Sequence, residues 1–98
     1  MAHFLVEYRE IGTPQAREDY RGDHVAYRKG LGAALCLTGP ILDDGGKPNG
    51  SLIIIDATDR AQAEQIASRD PYLAAGVFEL ASVRGYRIAA MKPPVAAA

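Results

Sequence analysis

His24 is one of two histidines in a chain of 98 residues. Imidazole is the side chain whose unperturbed pKa lies near neutrality, so it can take up and return a proton at ordinary pH. A histidine that works this way needs a group that holds its ring and selects its tautomer, and a carboxylate does both. Asp19 and Asp23 are near His24 in sequence, Asp43 and Asp44 fall in a polar loop, and Asp56 and Asp59 precede the second predicted helix. Asp70 stands directly after that helix, in Asp70-Pro71-Tyr72. Two readings of Asp70 stand side by side. It starts a turn or caps a helix, since aspartate accepts backbone N–H bonds and proline pre-sets φ; or it orients His24. His24 has two readings as well: a core histidine bonded to a backbone or tyrosine oxygen, or a general acid/base. Under the second, Arg21 or Arg28 holds a substrate carboxylate, and Ser51, Tyr20, Tyr27 or Tyr72 bonds its oxygens.

The elements that must position these groups follow from periodicity. His3 to Tyr8 is short and rich in strand formers. Thr13-Pro14 reads as an N-cap followed by proline at the first helical position, and the helix runs to about Leu31. At about 100° per residue, Ala16, Tyr20, His24, Tyr27 and Leu31 fall on one stripe facing the sheet, with Arg17, Arg21 and Arg28 bordering it. A second strand, about Leu35 to Leu42, leads into DDGGKPNG, a hairpin loop. A third strand covers Ser51 to Asp56. Thr58 or Asp59 then caps a second helix with Ala63, Ile66 and Ala67 on its apolar side. After DPYLAAG, read as a connecting turn, the last strand runs from Val77 to about Ala90, with a bulge or bend at Gly85. The domain is placed at residues 3–90, with a fraying tail at 91–98.

This order is strand, helix, strand, strand, helix, strand, an α+β fold of the split-βαβ, ferredoxin-like kind. Right-handed crossovers put both helices on one face of a four-stranded antiparallel sheet. The central strand carries Leu52-Ile53-Ile54-Ile55, apolar at four successive positions. A strand with one wet face would alternate. A homodimer through the sheet face, possibly a higher oligomer, is therefore expected.

Composition excludes several classes. The formal net charge is -1 and no basic stretch stands out, so neither nucleic acid nor an anionic membrane is an expected partner. The single cysteine, Cys36, sits in an apolar run and reads as a small buried hydrophobe. His3 reads as solvent-exposed or on an edge strand. Two histidines this far apart make a weak case for a metal, and no cofactor is expected. Gly46-Lys47 lacks the spacing of a phosphate loop. No segment has the length and hydropathy of a membrane span, the N-terminus does not read as a signal peptide, and a cytoplasmic location is the default.

Arg21-x-x-His24, Gly39-Pro40, Gly50-Ser51, Asp70-Pro71-Tyr72 and Ala75-Gly76-Val77-Phe78 occur here in an order and spacing that resembles the YciI-like (YCII-related) family, over about residues 3 to 88. The resemblance implies a dimeric α+β barrel with His24 and Asp70 as the active-site pair beside the sheet. It also implies a small enzyme of aromatic-compound breakdown, of lyase or dehydrochlorinase type, without a redox cofactor; muconolactone isomerases are related. Arg84-Gly85-Tyr86 departs from the family's pattern, in which a proline followed by an aromatic is common. Three functional readings are carried forward: a cofactor-independent enzyme, a non-catalytic small-molecule-binding or regulatory dimer using the same pocket, and a structural role for both residues.

Overall fold

The computed structural model describes residues 2–92. The strands are β1 (Ala2–Glu10), β2 (Leu35–Leu42), β3 (Pro48–Ala57) and β4 (Phe78–Tyr86). The helices are α1 (Pro14–Gly30), α2 (Arg60–Ser68) and the single turn α3 (Pro71–Ala74). The sheet order is β2-β3-β1-β4, with every pair antiparallel. This is the expected ferredoxin-like α+β architecture. Of the tail expected at 91–98, Met91 and Lys92 are exposed and outside any strand, and the remainder lies outside the described residues.

Local chemistry sets the helix starts. Thr13 Oγ1 accepts the Ala16 N–H at 3.1 Å, and Pro14 follows with its φ already helical. Asp59, rather than Thr58, caps α2 by accepting the Gln62 N–H at 2.8 Å. Each such cap is worth about 1 kcal/mol.

Alternation decides the core. Phe4, Val6 and Tyr8 of β1 are buried together with Ile53, Ile55 and Ala57 of β3, and with Ala63, Ala67, Tyr72, Val77, Phe78 and Val83. The helices cover this face: the Tyr8 hydroxyl reaches the Ala67 carbonyl of α2, while Arg28 of α1 reaches Ser51, the cross-strand partner of Tyr8. Burying even five such aliphatic or aromatic side chains supplies on the order of 10 kcal/mol before entropy is counted. Leu5, Leu52 and Ile54 point to the other face; Ile54 is buried and the other two are half-buried. Leu37 pairs with Ile54 on that side and is exposed.

Several expectations change. DPYLAAG is not a plain turn: it folds into α3, and Gly76 then turns the chain into β4 at φ +72°, a conformation open to glycine at little cost. β4 ends at Tyr86 rather than near Ala90, because its partner β1 begins at Ala2 and the last register pair is His3 with Tyr86. Gly85 pairs regularly with Phe4; the irregularity falls at Ala81, between the Glu7–Ser82 and Tyr8–Leu80 pairs. β1 is a central strand, so His3 is half-buried and its Nε2 lies 3.0 Å from Asp56 Oδ1. Cys36 is exposed, not buried, since a bulge between Leu35 and Leu37 takes it out of the packed alternation. No helix among the described residues is long and apolar enough to cross a membrane.

Candidate active site

Asp70 follows α2 and precedes proline, which favours an extended backbone at this position; its φ and ψ are -60° and 125°. It caps α3 by accepting the Tyr72 N–H at 3.0 Å. The same side chain turns into the domain and is 1% exposed. Both of its carboxylate oxygens lie 2.8 Å from His24 Nδ1. Arg28 Nε donates to Oδ2 at 3.2 Å. Asp70 is thus both the cap and the partner of His24, and α3 is what lets one carboxylate do both. Burial alone pushes the Asp70 carboxyl up. The bond from His24, the Tyr72 N–H and the charges of His24 and Arg28 outweigh that and hold it below the ordinary carboxylate value.

His24 is clamped as well as bonded. The Tyr72 ring stacks on the imidazole at 4.0 Å between centroids and 8° between planes. Phe78 meets it edge-on at 5.8 Å. With Nδ1 committed to Asp70, no protein partner for Nε2 is found among the described residues, and the side chain lines a cavity of about 320 Å³.

Arg28 closes the floor. It is 9% exposed. Its Nη1 donates to Thr38 Oγ1 at 2.9 Å and Ser51 Oγ at 3.1 Å, and its guanidinium carbon lies 5.2 Å from the centre of the Tyr8 ring. Nη2 is buried and has no hydrogen-bond partner among the described residues. Gly50 borders the same cavity, and a Cβ there would collide with the Tyr8 carbonyl, so the β3 backbone comes this close only as glycine. Arg17, Thr38, Pro40, Pro48, Ser51 and Phe78 complete the wall. The cavity has the size of a site for a small organic molecule, with polar groups converging on one end.

The sequence-derived candidates separate. His24, Asp70, Arg28 and Ser51 are brought together. Tyr72 adjoins His24 through its ring, but its hydroxyl donates to the Arg17 carbonyl at 2.9 Å. The Tyr27 hydroxyl donates to the Ile66 carbonyl at 2.6 Å and does not line the cavity. Tyr20 is 44% exposed and also lies outside it. The covered line of α1 runs through Arg17, His24 and Arg28, spaced seven and four residues apart, because α3 packs Tyr72 against that side and draws the contact away from Tyr20. Arg21 is exposed and lines a neighbouring cleft with Glu10, Arg17 and Lys47. Burial raises the phenol pKa of Tyr8, Tyr27 and Tyr72, so all three stay protonated donors. Thr38, Pro40 and Phe78 are not among the site residues expected from sequence, although Pro40 and Phe78 fall within the family motifs. Thr38 and Pro40 are two apart on β2 and share a face by strand alternation, which is the signal that finds them.

The lowered Asp70 pKa carries a sign. The unfolded carboxyl titrates near pH 4; the folded one titrates lower. Below about pH 4 the unfolded state therefore binds more protons, and stability falls as pH falls through the folded value. Urea midpoints measured from pH 6 down to pH 3 should drop more steeply for the wild type than for Asp70→Asn, which cannot titrate. Equal slopes would remove Asp70 from the acid transition.

This fold and this pocket define the class. The YCII-related domain model matches residues 1–87, and the chain belongs to that family. Among solved structures it is similar to 5-chloro-2-hydroxyhydroquinone dehydrochlorinase (TftG) from Burkholderia phenoliruptrix AC1100, in complex with 2,5-dihydroxybenzoquinone. The two share 27% identity with a TM-score of 0.64, over 86% of this chain and 91% of that one. No curated protein matches the chain.

Proposed function

We propose that the protein is a cofactor-independent enzyme of lyase, dehydrochlorinase or isomerase type, acting on a small, oxygen-rich cyclic compound of the kind formed in aromatic breakdown. The observation that carries this reading is His24 Nδ1 at 2.8 Å from both oxygens of a buried aspartate, with the ring bordering a cavity. Asp70 accepts Nδ1–H, so in the neutral ring the lone pair is on Nε2. That nitrogen takes a proton from a ring hydroxyl or from carbon next to a carbonyl. The electron pair left behind either accepts a proton elsewhere, an isomerisation, or expels a leaving group such as chloride from the neighbouring carbon, an elimination. The imidazolium then returns its proton to product or solvent, and Asp70 stabilises the charged ring in between. Arg28, held by Ser51 and Thr38, places positive charge beside the oxygen on which negative charge develops. The similarity to a dehydrochlorinase supports this class of substrate.

The test is a screen of lactones and chlorinated hydroxyquinols, read by mass spectrometry and chloride release. Turnover that disappears in a folded His24→Ala variant supports the reading. Turnover that survives in that variant removes His24 from the chemistry. The alternative, a binding or regulatory dimer with the same pocket, gains support if ligands of this class bind tightly and leave unchanged.

The same reading has two copies pairing through the sheet face opposite the helices. Leu5, Leu52 and Ile54 give that face an apolar patch, and Leu37 stands exposed on it. Light scattering at micromolar concentration should give the mass of two chains; a monomer at every concentration would contradict the pairing.

A further inference from the structure

We propose a second site, a divalent-cation site of the zinc class, built from His3, Cys36 and Asp56 on the sheet face opposite the His24 pocket. The register brings the three together. His3 and Asp56 are direct cross-strand partners on β1 and β3, so their side chains leave the sheet on the same side. That side carries Leu5 and Ile54, not the helix-covered Phe4 and Ile55. Cys36 comes from β2, the next strand over, at the bulge beside Ile55 and Ile54. A bulge adds one residue and re-aims its side chain. The register shift leaves Leu35 on the helix-covered face with Ile55 and Leu37 on the open face with Ile54, and Cys36 stands between them. One ligand atom from each residue lies within 4.8 Å of the other two. His3 Nε2 and Asp56 Oδ1 are 3.0 Å apart.

The donor set selects the ion. Imidazole nitrogen, thiolate sulfur and carboxylate oxygen together suit a borderline-soft, tetrahedral dication, and oxygen-loving Mg²⁺ or Ca²⁺ would gain little from the sulfur. A tetrahedral ion with bonds of 2.0–2.3 Å sets its ligand atoms roughly 3.3–3.7 Å apart. The three ligand atoms, with one pair at 3.0 Å and all within 4.8 Å of one another, bracket that spacing. Three protein ligands leave a fourth position for water or another ligand. In the single chain, the half-buried His3 and Asp56 and the exposed Cys36 leave the site reachable from solvent. On binding, the thiol proton is released and sulfur takes the metal as thiolate. The ion would tie β1, β2 and β3 together at one end of the sheet.

Co²⁺ tests this in reduced, tag-free protein. Cys36 is the chain's only cysteine, so a thiolate-to-cobalt charge-transfer band can come from no other residue. The site predicts that band, tetrahedral d–d absorption at one ion per chain, and loss of both on adding Zn²⁺. Cys36→Ser should abolish the charge-transfer band. His3→Ala and Asp56→Asn should each weaken Zn²⁺ binding by at least about 10-fold, the smaller effect already seen for residues one shell further out. Zn²⁺ should raise the melting temperature of the wild type and not of Cys36→Ser. Saturable Co²⁺ binding without the thiolate band, affinity unchanged in Cys36→Ser, or no saturable binding would each overturn the proposal. None of these results depends on the chemistry at His24, which lies across the sheet.

Discussion

Replacing Asp70 with alanine should cost about 3–5 kcal/mol of folding stability, the largest effect expected of any single substitution in this chain. The carboxylate is 1% exposed and receives three donors: His24 Nδ1–H, the Tyr72 N–H and Arg28 Nε–H. Alanine leaves the Arg28 guanidinium charged and buried without its counter-ion, and it removes the α3 cap. Native domains are stable by about 5–15 kcal/mol, so the variant is expected to sit near the edge of folding. The damage is mostly the stranded charge rather than the lost bonds. Adding Arg28→Met to Asp70→Ala should therefore recover part of the loss, because an apolar side chain needs no counter-ion there. Urea denaturation of the two single variants and the double variant measures this. A loss below about 1 kcal/mol for Asp70→Ala, or full additivity in the double variant, would mean the pair is not what holds this end of the domain together.

The second large effect is on rate. For any compound the protein turns over, His24→Ala should lower kcat by about 10²–10⁴-fold, the range of a positioned general acid/base. Asp70→Asn should lower it as well, since an amide can donate to Nδ1 and so favour the tautomer with its proton on Nε2. The two effects differ in stability. His24→Ala removes a side chain that is partly open to the cavity and leaves Arg28 to balance Asp70, so it should lose much less stability than Asp70→Ala. Steady-state rates beside thermal melts separate the two. Equal kcat in wild type and His24→Ala would contradict the role of His24.

Much of the scaffold could be read from the chain because its signals are local. Thr13-Pro14 starts α1, the turn-rich Asp43 to Gly50 segment makes a hairpin, and apolar runs mark β1 and β3. The meeting of His24 and Asp70 was legible as a possibility, since topology put α1 and the segment after α2 at the same side of the sheet. The distance was not legible, because it depends on a four-residue helix whose stability comes from packing Tyr72 on His24. Tyr27 is expected at the substrate for a related reason. The last carbonyls of α2 have no N–H of their own helix to accept, and the hydroxyls of Tyr8 and Tyr27 donate to Ala67 and Ile66 instead. That need belongs to α2 and cannot be seen in the periodicity of β1 or α1. Arg28 presents the opposite case. Its type and place beside the stripe offer it as a holder of a substrate carboxylate, and its burial becomes visible only where Asp70, Thr38, Ser51 and the Tyr8 ring all converge on it. Cys36 reads as buried from the sequence and is exposed in the fold, because a bulge leaves no mark in an apolar run.

The central claim is that Asp70 holds His24 with its proton on Nδ1 and leaves Nε2 bare toward the pocket. Nitrogen-15 NMR of the imidazole, in protein labelled at histidine and assigned with His24→Ala, reads this directly. In the neutral ring, a protonated Nδ1 and an unprotonated Nε2 are expected. A neutral ring with its proton on Nε2 would contradict the account, whatever the substrate proves to be.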